Sequence, residues 1–233
     1  MLFRSLVGRL LDKAPDLDIE TEYAFLGIQE QGHELGAVAY DVEQWRRHIL
    51  ERDAAWTREQ LRAGVRAFED LFDERPLAVA VPDFLINADT PLLEAELGFD
   101  YACDTRGLSP YFPVSVAGPS RCPQIPVTLP RIEEAVAAGQ PLDDVHQYLF
   151  MESQKPLQPG HLFNFTLGDA AYLAVLEKLI VMWMGSQREL VPVRHLLEQV
   201  KREDIPLHQA GLIKLGDQGP VYAAQGEPVK SGP

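Results

Sequence analysis

Gly32-His33-Glu34-Leu35-Gly36-Ala37-Val38-Ala39-Tyr40-Asp41-Val42 reads as a short buried strand that runs directly into a long helical segment. Asp41 is placed to cap that helix, because a short carboxylate can accept from the unpaired N–H groups of a first turn. The C-terminal end of a strand, where it passes into a helix, is where α/β domains build their sites. Here that end offers Val, Ala, Tyr, Asp and Val over residues 38–42, which is little material for chemistry.

Downstream, Trp45, Ile49, Leu50, Trp56, Leu61, Val65, Phe68, Leu71 and Phe72 recur at intervals of three and four up to Arg75-Pro76. Some thirty residues is long for one globular helix, so the spacing predicts a break near Arg52–Trp56. Leu77–Val81 then reads as a buried strand closed by Pro82-Asp83. A helix opens at Thr90-Pro91 and ends at Gly98. Phe99–Cys103 is the next strand, followed by a long proline-bearing loop from Leu108 to Pro123. Gln124–Pro130 is a short strand fenced by prolines, and helices follow at about 131–138 and 142–152. Leu162–Thr166 reads as another strand before helices near 169–183 and 194–202. Upstream, a helix is expected at about 20–31. Strands near 35–40, 77–82, 99–103, 124–128 and 162–166 that alternate with helices predict parallel neighbours in one sheet, open or closed into a barrel. The α/β domain is expected over residues 1–204. The tail, 205–233, holds a hairpin around Gly216–Gly219 and a disordered end.

Composition narrows the function. A formal charge of −14 with no Lys/Arg-rich tract argues against general nucleic-acid binding. Cys103 and Cys122 are the only cysteines, so neither a disulfide framework nor a cysteine zinc site is encoded. No apolar run reaches the roughly 18 residues of a membrane span, and Arg4 and Arg9 interrupt any signal-peptide pattern. A cytoplasmic location is expected. Residues 2–13 are basic and amphipathic, with Leu2, Phe3, Leu6, Val7, Leu10 and Leu11 at helical spacing. That pattern suits peripheral contact with an anionic membrane, and equally an outer helix packed inward, the commoner arrangement.

Gly32-His33-Glu34-Leu35-Gly36 resembles the entry to the second motif of the polysaccharide-deacetylase (NodB-homology) superfamily. Cys103-Asp104-Thr105-Arg106-Gly107 and Gln124-Ile125-Pro126-Val127-Thr128-Leu129-Pro130 are more specific. They resemble the members that deformylate 4-deoxy-4-formamido-L-arabinose linked to undecaprenyl phosphate. The similarity runs from about Gly32 through Leu197 and continues near Ile205-Pro206-Leu207. It implies a distorted parallel (β/α) barrel of the polysaccharide-deacetylase type, incomplete at its N-terminus here. It also implies one divalent metal and hydrolysis of an N-acyl group on a sugar.

The functional positions of that family do not carry over. Its metal histidines match Val38 and Val42, which have no lone pair to offer. Its first-strand aspartates have no equivalent strand, since Asp16-Leu17-Asp18 reads as a turn before a helix. The arginine of its third motif falls at Leu85 or Asn87, and its acidic histidine falls in Phe165–Leu167. The remaining histidines, among them His48, His146, His161, His195 and His208, are scattered without ligand spacing. No metal or other cofactor is therefore expected.

A binding surface can outlast the chemistry. Tyr40, Asp41, Asn87, Asp104, Arg106, Gln124 and Thr128 are the candidate substrate-binding residues. Arg106 can hold a carboxylate or phosphate with its planar fork, or can pair with Asp104 and order the 108–123 loop. Two functions stand against each other. One is a degenerate family member that keeps a surface for a sugar, a lipid-linked sugar or a protein partner. The other is an active N-deacylase or deformylase with a rebuilt site.

Overall fold

The computed structural model describes residues 19–165, 170–187, 189–214 and 221–229. The basic amphipathic segment 2–13, the Asp16/Asp18 pair, the hairpin tip and the last four residues lie outside them. The chain begins with α1 (Ile19–Glu30), β1 (Ala37–Val38), α2 (Val42–His48) and α3 (Ala54–Phe72). The long periodic segment is thus two helices, because Asp53 caps α3 by accepting from Trp56 N at 3.0 Å. Next come β2 (Ala78–Ala80), a 3-10 turn (Pro82–Phe84), α4 (Thr90–Leu97) and β3 (Tyr101–Ala102). Gly98 ends α4 with φ +75°, a left-handed cap that costs glycine nothing.

β1, β2 and β3 form a parallel sheet in that order. The next predicted strand continues it without a full ladder. Ala102 bridges Gln124 and Arg106 bridges Val127, both parallel. Thr128 N then donates to Leu162 O at 3.0 Å, which brings in the fifth segment. The expected parallel succession holds through the bridges at Gln124 and Val127, whereas residues 162–165 form no strand and meet the sheet where the Thr128 and Leu129 amides donate to Leu162 O.

α3 lies against β1 at very short range. A Cβ built on Gly64 would fall 2.0 Å from Val38 O, so no side chain fits there. Leu61, Val65, Phe68 and Leu71 give α3 one buried stripe. A first core cluster joins Trp45, Ile49, Leu61, Val79, Val81, Leu93 and Phe99 between helices and sheet. A second cluster packs α5 (Ile132–Ala137), α6 (Val145–Gln154) and α7 (Ala170–Met184) around Leu129, Leu149, Leu179 and Trp183. α8 (Val193–Glu198) is shorter than the sequence implied, and a 3-10 turn at Arg202–Asp204 follows it.

The segment expected as an irregular loop is partly strand. β4 (Phe112–Ser115) and β5 (Gly118–Pro119) turn back on each other within it. β4 pairs in parallel with β6 (Leu207–Lys214), which pairs antiparallel with β7 (Val221–Pro228), giving the order β5-β4-β6-β7. Prolines disguised β4, since they are tolerated where a strand needs no N–H donor. The hairpin of the tail is present and is part of the body. Arg106 N donates to Ala223 O and Gln225 N to Arg106 O, while Ala223 is fully buried in the first cluster.

Candidate functional site

The C-terminal ends of β1, β2, β3 and the 124–128 segment converge on one mouth, and charge fills it. Glu43 accepts from Arg46 Nη1 at 3.0 Å. Arg46 Nε donates to Asp83 Oδ2 at 2.7 Å, while Asp83 Oδ1 stands 3.5 Å from Arg131. Arg131 Nε donates to Glu134 Oε1 at 3.2 Å, and Glu134 Oε2 lies 3.2 Å from Arg106. Arg106 Nη1 finally donates to Leu129 O at 2.8 Å. Acid and base alternate along the whole chain of contacts, Glu43, Arg46, Asp83, Arg131, Glu134, Arg106.

The backbone bends to make this possible. Asp83 and Phe84, directly after β2, hold φ values of +54° and +57°. Two consecutive non-glycine residues in the left-handed region are strained, and the mouth holds them there. The Phe84 ring is buried, with the guanidinium carbons of Arg106 and Arg131 at 5.8 and 5.6 Å from its centroid. Burial lowers the Arg106 pKa while Glu134 opposes that shift, and an arginine so paired keeps its charge. Asp83 raises the Arg46 pKa through their hydrogen bond, against desolvation.

The sequence candidates fall in three different places. Tyr40 is exposed at the mouth, and Asp41 caps α2 by accepting from Gln44 N at 2.9 Å. Arg106 reaches the mouth and pairs with Glu134, so of the two alternatives the one with Asp104 is not formed. Thr128 Oγ1 sits 3.1 Å from His161 Nδ1 and accepts from Leu162 N, tying two segments together. Asn87 is elsewhere: its Oδ1 accepts from Thr90 N at 3.0 Å and its amide donates to Thr57 and Arg52 O. It fastens the start of α4 and takes no part in the mouth.

Asp104 and Gln124 are completely buried and do not face a ligand. Asp104 turns inward to Val81 N and to Gln124, and the Gln124 amide serves both Asp104 and Glu94. The reason is geometric: residues at a strand end whose carbonyls and amides pair on both sides project into the layer between sheet and helices. Asp83, Arg131, Glu134 and Glu94 were not singled out in sequence. Asp83 had a visible signal, as the polar residue closing a buried strand. The others sit in helical patterns where charge usually means solvent.

The divalent metal that the resemblance implies does not fit these residues. By the resemblance its two histidines would fall at Val38 and Val42, and Val38 is 46% exposed. Both oxygens of Asp83 face arginines. Among the described residues no group of three or more His, Cys, Asp and Glu is arranged to hold a metal ion. On another side of the sheet an opening of about 540 Å³ is lined by Glu34, Ala37, Val79, Tyr101, Cys103 and Val127, among others. Burial and a hydrogen bond to Glu34 push the Tyr101 phenol well up, so it is a neutral donor there.

This architecture, a parallel α/β sheet with its mouth at the strand ends, is that of the polysaccharide deacetylases. The chain superposes on a crystal structure described as a polysaccharide deacetylase from Mycobacterium smegmatis with a TM-score of 0.60. The match is 18% identical and covers 84% of this chain and 72% of that one. A second, described as a polysaccharide deacetylase from Pseudomonas aeruginosa PAO1, matches with a TM-score of 0.58 at 20% identity, over 79% and 65%. Puue allantoinase matches with a TM-score of 0.57 at 23% identity, over 77% and 63%. In sequence the chain is 27% identical over 180 residues to a Shewanella sediminis protein described as the 4-deoxy-4-formamido-L-arabinose-phosphoundecaprenol deformylase ArnD. That match takes in 76% of this chain and spans 56% of the relative's length. No protein-family model matches the chain. The chain therefore shares its fold with polysaccharide deacetylases of the NodB type and is similar in sequence to one deformylase.

Proposed function

We propose that this chain is a degenerate polysaccharide-deacetylase-type protein that does not carry out metal-dependent N-deacylation of amino sugars. The observation that carries this reading is Val38 at the end of β1 and Val42 at the start of α2, where the family's histidines would stand. The alternating ion chain beside them supports it. Among the described residues each guanidinium of the mouth already faces a carboxylate, which leaves none of these three to stabilise an oxyanion. The mouth retains hydrogen-bonding groups at its rim, including exposed Tyr40, and serves as a surface for a sugar, a lipid-linked sugar or a protein. The lipid-linked sugar in the relative's name is what points to that ligand class. A cytoplasmic setting, with peripheral membrane contact through residues 2–13, belongs to the same proposal. Among the described residues no helix is long and apolar enough to cross a membrane.

The test is elemental analysis after purification and after a zinc or cobalt soak, together with assays on N-formyl and N-acetyl amino sugars. The expected result is no stoichiometric metal and no metal-dependent turnover. Stoichiometric metal accompanied by turnover overturns the proposal and establishes the rebuilt hydrolase instead.

A further inference from the structure

Glu94, on α4, and Asp104, just after β3, have no solvent exposure at all. They meet at a single donor. Gln124 Nε2 lies 3.0 Å from Glu94 Oε2 and 3.3 Å from Asp104 Oδ2. Asp104 Oδ1 also accepts from Val81 N at 2.7 Å, and Asp104 N donates to Gln124 Oε1 at 3.0 Å. Glu94 Oε1 has no partner. Among the described residues no Lys, Arg or His forms an ion pair with either carboxyl. Two buried carboxylates on one amide, without a cation, cannot both be ionised.

The other titratable groups around the pair are neutral ones. Cys103 adjoins Asp104, and Cys122 and Tyr111 face the pair from the segment that carries β4. Burial pushes all three upward, and the carboxyls push them further. Arg202 is a cation that acts on Cys122.

We propose that Glu94 and Asp104 share one proton, held on Glu94 and donated to Asp104, and that it latches α4 to the strand ends until rising pH removes it. The latch bears on the mouth because Asp104 anchors Val81, the residue directly before the Pro82–Phe84 turn that carries Asp83. Without the proton, two anions compete for Gln124. The contacts that hold α4 and the start of that turn then repel each other.

The sign follows from the environment. Burial, then the Asp104 charge, raises the Glu94 pKa well above the ordinary carboxylate range. Asp104 is raised by burial as well, but the hydrogen bonds from Glu94, Val81 and Gln124 favour its charged form. The folded chain therefore binds a proton that the unfolded chain has released. This stability is complete below the ordinary carboxylate range and is lost as pH climbs to the raised folded-state value. Within that window each pH unit changes the folded-to-unfolded ratio by about tenfold.

Glu94→Gln tests the latch, since a neutral amide imitates the protonated acid. Urea unfolding followed upward in pH from the ordinary carboxylate range should show the wild type losing about tenfold per pH unit relative to E94Q until the buried carboxyl itself titrates. Exchange of the Val81 amide, corrected for its intrinsic rate, should accelerate over the same range in the wild type only. Infrared spectra of the wild type at neutral pH should contain the carbonyl stretch of a protonated carboxyl, and E94Q should lack it. Parallel pH profiles in the two proteins overturn the proposal, as does a wild-type spectrum without that band. Should E94Q fail to fold, Asp104→Asn decides the matter. It removes the neighbouring anion, so the band should persist but titrate at lower pH than in the wild type. An unmoved titration contradicts the shared proton.

Discussion

Asp83 and Arg46 join the end of β2 to α2 across the mouth, with Arg46 Nε donating to Asp83 Oδ2 at 2.7 Å. Asp83 is also the residue that links this half of the ion chain to Arg131. The Arg46 and Asp83 side chains are 37% and 40% exposed, so the stabilisation is modest despite the geometry. Asp83→Asn keeps a residue that tolerates positive φ but removes the charge between two arginines. Urea unfolding should show a loss of about 0.5–1 kcal/mol at low salt. The loss should shrink at high ionic strength, because screening weakens exposed pairs. An equal loss at both salt concentrations contradicts the electrostatic account.

Gly64 carries more weight than any surface pair. Its Cβ position is occupied by the Val38 carbonyl, which belongs to the backbone and cannot rotate away. Gly64→Ala should therefore push α3 off β1 and cost about 1–3 kcal/mol or more, as overpacking does. Helix propensity alone would predict a gain of roughly 1 kcal/mol from the same change. Thermal unfolding separates the two by sign.

The buried thiols give a simple probe of the folded state. Cys122 is buried, Cys103 is half-buried, and desolvation holds both thiols well above their usual range. Thiolate is the reactive form, so both should react slowly with a disulfide reagent at pH 7 to 8 in the folded protein. Addition of denaturant should release two fast equivalents. A fast equivalent in the native protein would place Cys103 in contact with solvent as thiolate.

Histidines at 38 and 42 should not recreate a hydrolase. The double substitution Val38→His/Val42→His supplies two donors, while a zinc site ordinarily takes three protein ligands and a water. The nearest carboxylate hub, Asp83, is engaged by Arg46 and Arg131. Calorimetric titration with zinc should show no tight one-to-one site, and assays on N-formyl amino sugars no turnover. Tight binding with activity would mean that a third ligand is already in place.

Much of the frame was legible from sequence because local rules and the tertiary structure agree. Asp41 caps a helix, the long periodic segment breaks near Arg52–Trp56, Gly98 ends a helix, and three of the short apolar runs become parallel strands in chain order. These depend on backbone geometry and on the spacing of apolar residues, both readable one segment at a time. Val38 and Val42 were equally plain, since a side chain without a lone pair cannot ligate a metal in any fold. Only the tertiary structure decided the rest. Pro113 in β4 looked like loop because its parallel partner, β6, lies almost a hundred residues away in sequence. Arg106 met Glu134 rather than Asp104, since the direction a side chain leaves the strand end depends on the neighbours on both sides. Glu94 looked like an ordinary helical carboxylate until α4 was laid over the strand ends. Burial is a property of the whole packed body, and burial is what turned Glu94 and Asp104 into a pair that must share charge.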